Sequence, residues 1–550
     1  MARSGTQPGA DAATLVDVLR RRVDEQAERL IYRFLSEDGS EAHRLTGSQL
    51  GSRVRALARR LAAVGEPGDR ALLLYPAGLE FIVAFLGCLA ASRVAVPAYP
   101  PRVNRGQPRL RAIAEDSRPR LVLTTAALLP QAGELAAQIP ELAGAEWIAT
   151  DGPLEDPGEW PGRLPGPADL AFLQYTSGST AVPKGVRVLH GSLIHNEEMI
   201  RRSFGLSEES VVVGWLPLYH DMGLIGNVLQ PLYAGARCVL MSPLTFLQRP
   251  ARWLEAIARY GTEGPVTSGG PNFAYDLCAR KVGADLREGL DLSAWTVAYN
   301  GAEPVRRETL DRFAGEFAAC GFRPEAFFPC YGLAEATLFA SGGGRGRGAV
   351  VTTVEAAGLE RGVAVPSAGA GTRDLVSSGH AWMGQAIAVV DPESRVRCSD
   401  GEVGEIWLSG PSVADGYWNR PAETAETFGA RPAGATPDEA PYLRTGDLGF
   451  LSGGELFVTG RRKELIVLRG RNHYPQDIER TAERAHPALR PGCGAAFAIE
   501  PEAGSGGTER LVVVYEAERA RNVDLDAAAD AVRRAVAEEH EVEVHEVVLV

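Results

Sequence analysis

Lysine is almost missing from this chain. It occurs only at positions 184, 281 and 463, so arginine supplies 54 of the 57 basic side chains and each remaining lysine is informative. Cysteine is also sparse: Cys88, Cys238, Cys278, Cys320, Cys330, Cys398 and Cys493 are odd in number and scattered, with no C-x-x-C pair. That excludes a zinc ribbon or dithiol motif and points to buried free thiols in a reducing cytosol, hence a cytoplasmic protein. Long apolar runs are absent; the longest, Phe81 to Ala91, is far too short to span a bilayer. The opening Met1-Ala-Arg-Ser-Gly lacks the apolar core of a signal peptide, so neither export nor membrane insertion is expected. Excess positive charge is lacking too. With 70 acidic residues the net charge is −13, which argues against non-specific adhesion to nucleic acid or anionic membrane and leaves room only for a local basic pocket.

What the chain has is bulk: 550 residues, 45% of them apolar, enough for three to four packing units at about 150 residues each. No internal repeat interrupts it. Apolar residues fall at helical spacing around Leu15, Val18, Leu19 and Val23, and again at Leu50, Val54, Leu57 and Leu61. Short β-rich runs then alternate with helical stretches: Leu72–Tyr75, a helix through Phe81–Leu89, Arg93–Val96 and Leu121–Thr124. This alternation predicts a mostly parallel α/β sheet. Asp151 to Pro167 reads as a Pro/Gly-rich loop feeding a strand at Leu170–Tyr175. Further strands are predicted at 211–215, 295–299, 325–329, 404–408 and 455–458, with a helix at Glu308–Ala319. Past about residue 461 the pattern shortens: strand Leu465–Leu468, helix Pro475–Arg484, a Gly-rich connection at Glu502–Thr508, strand Leu511–Tyr515 and helix Leu525–Glu539.

One segment carries chemistry on its face: Tyr175-Thr-Ser-Gly-Ser-Thr-Ala-Val-Pro-Lys-Gly-Val186. Gly178 permits close backbone approach, and Thr176, Ser177, Ser179 and Thr180 offer hydroxyl donors. Lys184 adds a point charge, a combination suited to wrapping a polyphosphate. Its spacing is not that of a Walker A loop. Taken alone, the segment also fits a polar Ser/Thr surface turn; the rare lysine tips the reading toward phosphate.

This loop resembles the phosphate-binding segment of the adenylate-forming superfamily, with Ala181 where many members have glycine. Six further segments match in order: Trp215–Gly226 (with Pro-Leu-Tyr-His-Asp-Met-Gly), Thr267–Asp276, Tyr299–Val305, Tyr331–Thr337, Tyr442–Asp447 and Arg469–Glu479. Their wording is similar to one branch, the fatty acyl-AMP ligases. The resemblance implies an α/β adenylate-forming fold. Residues 1–460 would form a large domain of several α/β and β subdomains, and residues 461–550 a small, mobile α+β C-terminal domain.

It also implies ATP and Mg²⁺ as cofactors, a fatty acid as substrate and an acyl carrier protein as partner, with no nucleic acid involved. In line attack of the carboxylate on the α-phosphate would expel pyrophosphate, so catalysis is mostly positioning and charge neutralisation. By the resemblance, Lys184 and the hydroxyl loop bind phosphates, Glu335 holds Mg²⁺, and Tyr331 with Gly332 stacks on adenine. Gly301, Ala302 and Glu303 line the base, Asp447 accepts the ribose hydroxyls, and Arg461 contacts sugar and phosphate. His220 meets the substrate carboxylate, Met222, Asn272 and Phe273 wall the acyl pocket together with Leu224 and Ile225, and Lys463 marks the hinge. Each has a plain alternative taken singly: core aromatic, solvated glutamate, turn aspartate, satisfied histidine. For Asn272 and Phe273 a plain core remains equally open.

The 43 residues from Ala336 to Ser378 exceed what acyl-CoA ligases usually carry between the corresponding motifs. The stretch near 351–375 resembles the insertion thought to restrain the small domain and suppress CoA-thioester formation. An acyl-CoA ligase and a non-catalytic nucleotide- or acyl-adenylate-binding module stay open as alternatives. Family members carry a catalytic lysine in a Gly/Pro segment beyond a strand like Glu546–Val550, whereas no lysine follows Lys463 here. The expectation is therefore a small domain truncated relative to its family. No carrier-like Asp-Ser-Leu segment occurs, so the carrier is expected as a separate protein or beyond this sequence.

Overall fold

The computed structural model describes residues 12–101, 107–152, 158–176, 182–468, 471–499, 509–518 and 524–550. Two α/β sheets dominate. A six-stranded sheet runs in the order 146–149, 121–124, 70–74, 94–98, 170–176, 184–189. All neighbours in it are parallel except the last two, which form a hairpin. An eight-stranded sheet runs 339–342, 327–332, 295–300, 266–270, 211–214, 237–240, 30–35, 41–46, antiparallel only at its two edges. Its central strands are apolar on both faces, as Val211-Val-Val-Gly illustrates, because helices cover both sides.

The parallel sheets follow the alternation in the sequence. Helical spacing before residue 63 is interrupted, however: helix Leu15–Glu25 and helix Gly47–Ala63 flank two strands, Leu30–Leu35 and Glu41–Thr46. Thr14 and Thr46 each close a capping box, which fixes where the two helices start. The strands stay hidden in the sequence because the second is largely exposed and polar, with no alternation to betray it.

A four-stranded antiparallel sheet, in the order 386–390, 404–409, 443–452, 455–461, follows the α/β body. The 351–375 stretch forms a two-stranded unit, Val351–Glu355 against Thr372–Val376, with a short helix Ala356–Glu360 between. After residue 465 the chain builds a separate apolar core. There Ile478, Val532 and Val536 from two helices pack on Leu511, Val513 and Tyr515. Its three-stranded sheet includes Leu489–Ile499, which the sequence hid behind Arg-Pro-Gly-Cys-Gly. The predicted connection at Glu502–Thr508 lies outside the described residues. Cys88, Cys238, Cys278 and Cys320 are buried free thiols as expected, but Cys493 is exposed and Cys330 and Cys398 are half-buried. No described helix is long and apolar enough to cross a membrane.

Candidate active site

A cavity of about 900 Å³ opens where the two large sheets, the four-stranded sheet and the 461–463 segment meet. The hairpin Leu170–Thr176/Lys184–Leu189 ends with Thr176 paired to Lys184, and both line the cavity. Ser177, Gly178, Ser179 and Thr180 lie outside the described residues. The Lys184 ammonium is ion-paired to Glu423 and sits 4.9 Å from the centroid of the Tyr417 ring. Glu423 is also held by Arg420 at 2.9 Å, and these two cations hold its carboxyl below the usual range.

The Tyr417 hydroxyl donates to Glu335 Oε1 at 2.9 Å. Glu335 rides on the single turn Ala334–Ala336, closed by Thr337 at φ 69°. A β-branched residue resists that conformation by about 1–3 kcal/mol. It is held there by Thr337 Oγ1 donating to the Ser412 carbonyl at 2.7 Å, while the Ala414 amide donates to the Glu335 carbonyl. Burial raises the Glu335 carboxyl above the ordinary value.

Asp447 and Arg461 are cross-strand partners, with Arg461 Nε 3.5 Å from Asp447 Oδ1. Tyr331 donates its hydroxyl to Asp447 Oδ2 at 2.6 Å. Burial raises the Asp447 pKa, opposed by this hydrogen bond and by Arg461. The loop carrying Asp447 is pinned by a residue the sequence did not single out. Glu405, 3% exposed, takes two hydrogen bonds from Arg444, at 2.7 and 3.0 Å, and one from the Gly446 amide at 3.2 Å. Gly446 has φ +74°, which suits glycine at this turn.

His220 faces the cavity from the turn after strand Val211–Gly214, its Nδ1 2.6 Å from Asp221 Oδ1. That hydrogen bond, above all, raises the imidazole pKa. Met222 follows on the same wall. Gly301, Ala302 and Gly332 also line the cavity. A Cβ on Gly301 would come within 2.8 Å of the Cys330 carbonyl oxygen, and Ala302 holds φ 67°. Lys463 sits at the rim, in the turn Arg462–Glu464.

Five of the expected residues fall outside the cavity lining. Asn272 is buried and organises its own neighbourhood, donating to Thr309 Oγ1 and accepting from the Arg306 amide, both at 3.1 Å. Phe273 packs its ring near Trp215 and Phe246 instead, and Glu303 turns outward to accept the Phe273 amide. Leu224 and Ile225 are wholly buried in the core. The apolar wall comes instead from Ile200 and Phe204 of helix His190–Phe204, with Tyr299, Leu338 and Phe339. Ile200 and Phe204 show only the spacing of an amphipathic helix, which marks a core face and nothing more. Nor is the cavity basic: its wall carries six arginines and lysines against six carboxylates.

An α/β body with such a cavity at the carboxyl ends of its strands, roofed by a smaller unit, defines a class of nucleotide-using enzyme. The chain belongs to the AMP-binding enzyme family, whose model matches residues 19–418. It is 44% identical to the medium-chain-fatty-acid–[acyl-carrier-protein] ligase JamA of Moorena producens, over 98% of this chain and 91% of that protein. It is 36% identical to the putative fatty-acid–CoA ligase fadD21 of Mycobacterium leprae, over 98% and 94%. Among solved structures, the fatty acyl-adenylate ligase of Legionella pneumophila in complex with acyl adenylate and pyrophosphate superposes with a TM-score of 0.79. That match has 40% identity and covers 100% of this chain and 94% of the other.

Proposed function

We propose that this protein is a fatty acyl-AMP ligase that activates a fatty acid with ATP and transfers the acyl group to an acyl carrier protein. The observation that carries the reading is one cavity lined by Lys184 and Thr176, by the carboxylates of Glu335 and Asp447, and by an apolar side. In the first step a carboxylate oxygen bonds to the α-phosphorus, the α–β bridging P–O bond breaks, and pyrophosphate leaves. In the second, the phosphopantetheine sulfur bonds to the acyl carbon, the thiol proton is lost, and AMP leaves. The protein acts by positioning and by placing charge where it develops.

Lys184, freed from Glu423 by a competing anion, takes the β- and γ-phosphates with Thr176 and the 177–180 loop. Tyr331, Gly332, Gly301 and Ala302 hold the base. Asp447 accepts the ribose hydroxyls, using lone pairs left over by Tyr331, and Arg461 lies against the sugar and α-phosphate. His220, whose imidazole pKa is raised by its hydrogen bond to Asp221, faces the substrate carboxylate. Mg²⁺ fits the residues present: no cluster of three ligating side chains occurs among the described residues, and an ion borne by phosphates needs only one or two protein carboxylates. Glu335 would supply that ligand, and the ion would neutralise charge on the leaving pyrophosphate.

We assign residues 1–460 to the adenylating body and 461–550 to a small domain that swings about Lys463, in a cytoplasmic enzyme. The acyl-CoA ligase reading retains support from the fadD21 name. Against it stands the 351–375 unit, whose Glu360 accepts from Arg471 Nε at 2.8 Å and whose Arg373 pairs with Asp477 at 2.7 Å. Val354, Leu359 and Leu375 share an apolar cluster with Tyr474. These contacts are suited to holding the small domain away from a CoA-accepting arrangement. The deciding experiment supplies ATP, a fatty acid and either CoA or a phosphopantetheinylated carrier protein. Acyl-carrier formation is expected; efficient acyl-CoA formation would replace the reading, and absence of repeated pyrophosphate release would leave a binding module.

A further inference from the structure

Phe204 lines the apolar side of the cavity with Ile200, Tyr299, Leu338 and Phe339. Phe204 is the last residue of its helix and is 7% exposed. Its ring lies 4.5 Å (centroid to centroid) from Phe328, and 5.9 Å from both Tyr299 and Phe339. The next residue, Gly205, is a left-handed cap whose carbonyl accepts from the exposed Arg345 at 3.0 Å. An aromatic group therefore stands between the cavity and the outer surface at this point.

A second position keeps the space in front of it open. Gly226 lies in a stretch of wider helix, Leu224–Leu229, directly after the His220-Asp221-Met222 turn. Such π-helical turns recur at functional sites because they re-aim side chains. A Cβ added at Gly226 would meet only Leu338 Cδ2, at 3.8 Å, while the adjoining Ile225 and Asn227 are fully buried. Any larger side chain at 226 would thus extend into the cavity. The wall's one hydroxyl, on Tyr299, accepts from Asn227 Nδ2 at 2.7 Å.

We propose that Phe204 is the stop that bounds acyl-chain length and that Gly226 keeps the space in front of it open, so that the enzyme selects fatty acids up to a fixed length. This rests on the acyl-adenylate reading above. Up to the stop, each buried methylene adds apolar contact and raises kcat/KM about fourfold. Beyond it, an additional methylene must displace close-packed aromatic rings, and kcat/KM falls.

The test measures pyrophosphate release across a series of saturated acids differing by two methylenes, for the full chain and three variants. Phe204→Ala should move the optimum to longer acids, changing the long-to-short ratio of kcat/KM by about fifteenfold or more per two methylenes. Phe204→Leu, which leaves a smaller void should the alanine variant not fold, should move it the same way by less. Gly226→Leu should move the optimum to shorter acids, with KM for ATP unchanged in all three. A wild-type profile that rises to a plateau without falling, or variant profiles that coincide with wild type, would overturn the stop. If wild type releases pyrophosphate with no fatty acid at all, the acyl-adenylate reading itself fails instead.

Discussion

Glu335 and Asp447 are both half-enclosed carboxylates on the cavity wall, yet their positions assign them different kinetic effects. A ligand to a phosphate-borne cation matters most as pyrophosphate charge develops, so Glu335→Ala should lower kcat by about a hundredfold with a smaller change in ATP affinity. In the proposed role Asp447 would hold a sugar that does not react, an interaction shared by ground and transition states. Asp447→Ala should therefore raise KM for ATP with kcat little changed. Steady-state kinetics at saturating fatty acid separates the two, and an exchange of the two patterns would reverse the assignments. The pH profile follows from the same wall. His220 carries its positive charge to a pH above the usual histidine value because Asp221 accepts from it, so adenylation should decline as pH rises through that raised pKa. Asp221→Asn removes the stabilising charge and should move this alkaline limb to lower pH. On the acid side, burial raises both Glu335 and Asp447, so activity should fall at a pH above the ordinary carboxylate range. Of these residues, Lys184 was legible because lysine is so rare, and His220 because of its motif. Glu423, its ion-pair partner 239 positions later, and Glu405 were not, since no local pattern brings such distant residues together.

At the scale of elements, the two large sheets were legible because strands buried on both faces read as continuous apolar runs, as Leu121-Val-Leu-Thr does. Leu489–Ile499 was not, because its first half is exposed and carries proline and two glycines, the residues that normally end strands. The 351–375 unit was legible only as excess length. What the structure adds is its grip: Glu360 on Arg471, Arg373 on Asp477, and the Arg373 guanidinium 5.1 Å from the Tyr474 ring centroid. These ion pairs are largely enclosed, and they flank a shared apolar cluster that includes Leu359 and Tyr474. The double variant Glu360→Ala, Arg373→Ala should therefore leave acyl-AMP formation within about twofold while raising CoA-thioester formation. Quantifying both products by mass spectrometry checks this; a folded variant that stays inert to CoA would show that the unit does not govern the choice.

For the whole molecule the question is how one cavity serves two reactions, attack of a carboxylate on the α-phosphorus and then attack of a carrier thiol on the acyl carbon. Arg461, Arg462 and Lys463 line the cavity at the proposed domain junction, while the residues beyond 465 build an apolar core of their own. A unit with its own core can turn as a rigid piece if the few residues joining it absorb the change in φ and ψ. Lys463 is exposed, lies in a single turn, and makes no ion pair among those the described residues show, so little opposes its rotation. Proline at 463 would fix φ near −65° and also bias Arg462 toward extended conformations. If rotation there is required only for the second step, Lys463→Pro should form acyl-AMP and release one equivalent of pyrophosphate at close to the wild-type rate. Transfer to the carrier should then fall by about a hundredfold or more, the scale set by losing a correctly placed reactant. Single-turnover measurements of pyrophosphate and of acyl-carrier product separate the steps, and Lys463→Ala, which keeps the backbone free, should transfer normally. If the alanine variant loses transfer as well, the ammonium of Lys463 rather than its backbone serves the second reaction, and rotation must be sought elsewhere along the junction.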